Sequence, residues 1–313
     1  CTTAVPGRYG EVPPDACNSN YFYDPSFGAN IAFAALFGLT SLAHIVEACI
    51  FKKRFCWVVI MGSLWEVAAF ILRALGAWNQ QNLGYLIGGN LFFLLAPLWI
   101  NAFVYMTGAR LIHFLVPEKR ISFVKASSIS KYFIWLDIFS FLIQGVGGSM
   151  LSDTDDTGGT QTTRIGLIVY RVGIGIQELF ILGFFAVTIQ FHRQTVRLEE
   201  MGLVSPNIKW RALTWAMYVV LVLITVRIVF RIVEFSSGVS DDNPLLSHEG
   251  FVLCLDALPM VLALLLTNVV HPGMVLRGPE SEFTRLTRKE KKALKMEKKE
   301  AKKARKEAKK AMK

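Results

Sequence analysis

The sequence predicts an all-α integral membrane protein of seven transmembrane helices, with its N-terminus outside and its C-terminus cytoplasmic. Three observations predict this. The chain of 313 residues is 53% hydrophobic and only 19% charged, against about 25% charged in soluble domains, and its mean hydropathy is +0.41. Seven apolar runs each reach the roughly 20 residues that a span requires. Basic and base-poor connections alternate between them, and Lys and Arg mark the cytoplasmic side. A soluble helical bundle is the alternative, but it needs polar faces at helical period, which these runs lack.

Taken in order, residues 1–28 form an extracellular N-terminal segment with Arg8 as its base. Cys1 and Cys17 would then lie in an oxidising compartment. They are a candidate disulfide pair, with two free thiols as the alternative. The transmembrane domain covers 29–273, with spans at 29–51, 55–77, 84–112, 131–151, 164–190, 212–235 and 250–270. Lys52, Lys53 and Arg54 follow the first span. Lys119, Arg120, Lys125 and Lys131 follow the third, and Arg193, Arg197, Lys209 and Arg211 follow the fifth. On the other side, 78–84 has no base, 152–164 sets three Asp against Arg164, and 236–249 is acidic. Pro97 and Pro259 should kink spans 3 and 7 by removing a backbone donor. Gly88–Gly89, Gly147–Gly148, Gly173 and Gly175 allow close helix approach.

The basic tail, 274–313, carries much of the +10 net charge. It reads as a solvated charged helix or an unstructured tail. Either form would be attracted to anionic inner-leaflet lipid. The charge is therefore a membrane-surface feature and implies no nucleic acid.

Charges at bilayer depth are functional candidates, and this chain has many. His44 and Glu47 lie in span 1, and Glu66 and Arg73 in span 2. Asp137 and Gln144 lie in span 4, and Arg171, Gln177 and Glu178 in span 5. Span 6 has Arg227, Arg231 and Glu234, and span 7 has Glu249 and Asp256. Glu66–Arg73, Arg171–Glu178 and Arg227–Glu234 are each seven apart. Each couple shares a helix face but is separated by about 10 Å along the axis, so each charge is expected to find its partner on another helix. Arg231 and Glu234, three apart, can pair locally. These groups are candidates for a substrate-binding or ion-pair network, and a register-fixing role is the alternative.

Several chemistries lack their motifs. There is no phosphate-binding G-x-x-x-x-G-K-[ST] and no HExxH, and no nucleophile elbow. The five His residues are scattered, so no metal site, cofactor or enzymatic activity is expected. Asp-Arg-Tyr and Asn-Pro-x-x-Tyr, expected of a receptor, are missing.

Segments "GSLWEVAAFILRA" (62–74), "LLAPLWINAFVYMTGARLI" (94–112), "DIFSFLIQGVGGSM" (137–150), "GIGIQELFILGFF" (173–185), "VRIVFRIVEFSSG" (226–238) and "HEGFVLCLDALPM" (248–260), with "HPG" (271–273), resemble the fungal RTA-like proteins. This is the lipid-translocating exporter family named for resistance to aminocholesterol. Ala69 and Phe70 stand where that family often has Gly-Tyr. The resemblance implies a plasma-membrane protein whose partners are membrane lipids or amphipathic small molecules. It would export sphingoid bases, sterol-like or toxic compounds and confer stress or drug resistance. A seven-span lipid sensor or regulator is the alternative, because fold alone does not decide function.

Overall fold

The computed structural model describes residues 2–13, 16–121, 124–151, 159–205, 208–236 and 243–278, with Ser281, Phe283 and Met296. Residues Cys1–Ser281 form one unit and Glu282–Lys313 a second. Cys17 is disulfide-bonded; Cys1, its expected partner, lies outside the described residues, as does nearly all of the basic tail.

Seven helical segments are long and apolar enough to cross a membrane. They are α1 (Phe27–Phe51), α2 (Trp57–Trp78), α3 (Leu83–Leu115), α4 (Ala126–Leu151), α5 (Gly159–Glu200), α6 (Trp210–Glu234) and a composite seventh span, Glu249–Val275. A short helix, α7 (Pro244–Ser247), precedes the seventh span. That span consists of α8 (Glu249–Val252), a π-turn (Leu253–Ala257), α9 (Leu258–Val269) and α10 (Pro272–Val275).

Helix ends follow local chemistry. Ser26 caps α1 by accepting from the Ala29 N–H, and Asn82 caps α3 by accepting from Gly84, each satisfying an otherwise unpaired first-turn donor. Lys52 closes α1 in the left-handed region at φ 53.

Consecutive helices pack as neighbours, and α9 closes the bundle between α6 and α1. The α4–α5 contact depends on Gly147, where a Cβ would meet the Tyr170 backbone nitrogen at 2.5 Å. The bundle is inverted relative to a soluble one. Leu39 and Trp135 are 66% and 70% exposed, whereas Asn30, Ser41, His44, Glu66 and Asp256 are buried. On α1 the buried residues Asn30, Ala34, Phe37, Ser41 and His44 recur at helical spacing, one stripe facing inward.

Three features depart from the expected spans. α5 continues ten residues beyond the apolar run ending at 190. Its extension is rich in helix formers, and Phe191, Thr195 and Leu198 keep a buried face at i, i+4 and i+7. The α3–α4 connection contains an antiparallel pair, β1 (Arg120–Ile121) and β2 (Val124–Lys125). α3 is continuous through Pro97, and the irregularity falls in the seventh span. There Pro259 follows the π-turn. A proline cannot donate to the carbonyl one turn back, and wider i→i+5 bonding accommodates such a defect locally.

Candidate functional site

Helices α1, α3 and α5 begin at one end of the bundle, the N-terminal end. The Lys- and Arg-rich connections 52–56 and 116–125 lie at the other, basic end. Apart from His44 and Glu47, the interior charges gather between the middle of the bundle and the N-terminal end.

Their centre is Phe93 of α3, a fully buried ring. Three guanidinium groups lie over it, Arg73 at 5.4 Å, Arg227 at 5.8 Å and Arg231 at 5.3 Å from the ring centroid. The negative face of an aromatic ring attracts cations within about this range. Asp256, held in the π-turn of the seventh span, takes Arg227 on one oxygen and Arg231 on the other, each ion pair at 2.5 Å. Arg231 also reaches Glu234 at 3.2 Å, one turn along the same helix. One carboxylate from the seventh span thus bridges two bases from α6, and Glu234 supplies the second negative charge.

Arg73 finds neutral partners. It donates to the Tyr23 hydroxyl oxygen at 2.7 Å, to Asn30 Oδ1 at 3.3 Å and to Asn90 Oδ1 at 3.4 Å. Burial pushes the Tyr23 hydroxyl up, so it stays protonated and uses a lone pair toward Arg73. Asn30 donates in turn to Glu249 at 2.6 Å, and Glu249 also accepts from the Ser26 N–H at 2.7 Å. The carboxylate therefore sits at the N-terminus of α1, where the helix dipole favours negative charge. This chain of bonds ties α2, α1 and the seventh span together.

Glu66 differs from every other carboxylate here. It is completely buried, and neither oxygen has a hydrogen-bond partner among the described residues. It lies within electrostatic reach of Arg227, Asp256, Arg231 and Arg73. A buried carboxylate without partners is expensive, which makes Glu66 the least compensated group in the network.

A second cluster lies deeper. Asp137 Oδ2 accepts from Asn101 at 3.1 Å and from the Tyr105 hydroxyl at 2.9 Å, joining α4 to α3. Gln144 donates to Gln177 at 2.8 Å, joining α4 to α5. A cavity of about 20 Å³, lined by Gln144, Gln177, Tyr170, Arg227 and Arg231 among others, adjoins both clusters and has room for about one water.

The spacing rule thus meets three outcomes. Arg227 pairs with another helix, while Arg231 pairs both locally and with another helix. Arg171 donates to the carbonyls of Leu167 and Ser236, both at 3.4 Å, and Glu178 is partly buried with Thr225 beside it. Glu66, Arg73, Arg171 and Glu178 form no ion pair among the described residues. His44 lies 3.5 Å from Glu47 at the basic end, and Cys56 Sγ lies 3.5 Å from His271 Nε2. No group of three or more potential metal ligands occurs among the described residues.

Sequence reasoning missed Phe93, Asn30, Asn90, Asn101, Tyr23 and Tyr105. The asparagines left a usable signal, since an amide inside an apolar run also needs a partner. Phe93 left none among so many aromatic residues.

The sequence pattern described as "RTA1 like protein" matches residues 59–279, a range holding every interior charge named above except His44 and Glu47. The chain is similar to the "Probable lipid transporter atnI" of Emericella nidulans, 46% identical over 93% of this chain and 77% of that protein. It is also similar to the "Protoporphyrin uptake protein 1" of Saccharomyces cerevisiae, 32% identical over 66% of this chain and 65% of that protein. A third relative is the "Sphingoid long-chain base transporter RSB1" of Saccharomyces cerevisiae, 26% identical over 84% of this chain and 76% of that protein. No solved structure matches the chain.

Proposed function

The chain belongs to the RTA1-like protein family, and from that premise we propose that it translocates or exports lipid-like amphiphiles across a membrane. The relatives named as transporters of lipid and of long-chain base support this reading. The observation that carries it is the group of paired and unpaired charges from α2, α6 and the seventh span, enclosed in a bundle with an apolar exterior. A polar head crossing hydrocarbon loses its hydrogen bonds, at a cost of several kcal/mol. Exchangeable partners inside the bundle offset that loss. Glu66 can meet a cationic head, and Arg73, held only by neutral groups, can meet an anionic one. Asp256 and Glu234 together balance Arg227 and Arg231 while the site is empty.

The base-rich connections and tail support a cytoplasmic C-terminus and an N-terminal segment outside. In this reading the tail rests against anionic inner-leaflet lipid, the membrane is the plasma membrane, and the chain performs no catalysis. A second reading, a lipid sensor or regulator without transport, draws on the small size of the interior cavity, about 20 Å³. Reconstitution separates the two. Full chain in liposomes is expected to move a fluorescent long-chain base, and Glu66→Gln to slow that flux at least about tenfold, the effect of about 1.4 kcal/mol. Binding without flux would favour the sensor. Flux untouched by Glu66→Gln would remove the polar network from the mechanism.

A further inference from the structure

Glu66 and Asp256 are sealed within the bundle. Glu178 is not, and its surroundings are of another kind. It lies near the middle of α5, partly buried, with Thr225 of α6 beside it. Its Oε2 is enclosed and has no hydrogen-bond partner. The base on its own helix face, Arg171, is occupied by the Leu167 and Ser236 carbonyls. A carboxylate at this depth without a cation is costly.

The seam that Glu178 faces continues as an open groove between α5 and α6. Phe185, Ile189, Val219 and Val222 are among the side chains that wall it, around a volume of about 490 Å³, a size common in ligand sites. The register fixes the geometry. Phe185 packs on Tyr218 at 5.3 Å, and the Tyr218 hydroxyl donates to the Thr188 carbonyl at 3.3 Å. Glu178 and Phe185 are seven apart, so they share one face of α5 about 10 Å apart. Thr225 and Val222, three apart, share one face of α6. A carboxylate therefore stands at one end of a wholly apolar trough that opens sideways, with Trp215 and Val222 61% and 50% exposed along it.

We propose that this seam is a lateral binding site for a single-chain amphiphile with a cationic head, the amine held by Glu178 and the chain lying in the α5–α6 groove. It deepens the translocator reading and rests on it in treating the seam as the point of entry from the lipid. The lone carboxylate selects charge, and the groove selects one extended chain. An ordinary anionic lipid would gain nothing at Glu178.

The test is equilibrium binding of radiolabelled octadecylamine, octadecanol and octadecanoate to the full chain in phosphatidylcholine nanodiscs. Octadecylamine is expected to bind tightest. Glu178→Gln should weaken it about tenfold or more and leave octadecanol within about twofold, while Val222→Trp, which fills the groove, should weaken both. Preference for octadecanoate, or amine binding unmoved by Glu178→Gln, overturns the proposal. If Glu178→Gln does not fold, Val222→Trp on the exposed face decides, and unchanged amine binding again overturns it. Liposome flux separates this site from the general function. Flux that Glu66→Gln slows, with amine binding unmoved by Glu178→Gln, rejects the seam and retains translocation. Glu178-dependent binding without flux in the unaltered protein rejects translocation and retains the seam.

Discussion

The two halves of the bundle keep polar groups in different ways. Toward the N-terminal end the interior holds charges, with three arginines around Phe93 and Asp256 bridging two of them. Toward the basic end the deep interior holds mostly imidazole, thiol and hydroxyl groups, such as His44 near Thr267 and Cys56 near His271. The ion pairs of that end, Arg120–Glu118 and Arg211–Glu199, lie in the connections or at helix ends facing out. A charge in a wet connection costs little to keep. A charge within the bundle must be matched or it destabilises the fold. The half with enclosed charges is the one to which the proposed function is assigned, and substitutions there should be felt most.

The largest expected effect breaks the charged half at its pivot. Asp256→Ala leaves Arg227 and Arg231 both buried without their shared carboxylate. Removing one partner of a buried pair costs about 3–5 kcal/mol, and here two bases lose it at once. Denaturant unfolding in detergent should show that loss. A stability close to that of the unaltered protein would mean that water already reaches the arginines.

How much of this was legible in the sequence follows the same division. The seven spans were, because hydrocarbon thickness imposes a length that composition alone reveals. The interior charges were too, since an ionisable residue within such a run has few other places to go. Their partners were not. Spacing within one helix says which residues share a face but not which helix lies opposite. Thus Arg227 with Asp256 could be expected only as a pair with an unnamed neighbour, and Arg73 turned to Tyr23, Asn30 and Asn90 instead of an acid. The π-turn that positions Asp256 was also hidden. Pro259 announced a break, but the same signal from Pro97 left α3 continuous. The α5 extension past residue 190 was hidden for the opposite reason, because hydropathy ends there while helix propensity does not.

Asp137 sharpens the comparison, since it lies below the charged cluster with no base beside it. Its hold is two hydrogen bonds, from Asn101 and Tyr105. Asp137→Ala strands both donors in a buried site, at about 1–3 kcal/mol, and should fall below Asp256→Ala in the same unfolding measurement. Asp137→Asn keeps an acceptor for the pair and should recover most of the loss. A cost equal to that of Asp256→Ala would mean that Asp137 belongs to the charged network after all.

The smallest expected effect comes from the pair with the shorter contact. Arg211 and Glu199 meet at 2.8 Å, closer than Arg231 and Glu234 at 3.2 Å, but Arg211 is 60% exposed where Arg231 is 13% exposed. Distance alone would rank the basic-end pair higher. Screening reverses the order, because an exposed pair gains little in high dielectric and spends side-chain entropy to form. Glu199→Gln should cost less than about 0.5 kcal/mol, and raising the salt concentration should erase even that. Glu234→Gln should cost more and respond little to salt, since burial keeps counterions away from Arg231. Equal costs for the two substitutions, or equal salt sensitivity, would mean that the charged half is as wet as the connections, and its claim to be the functional half would lose its physical basis.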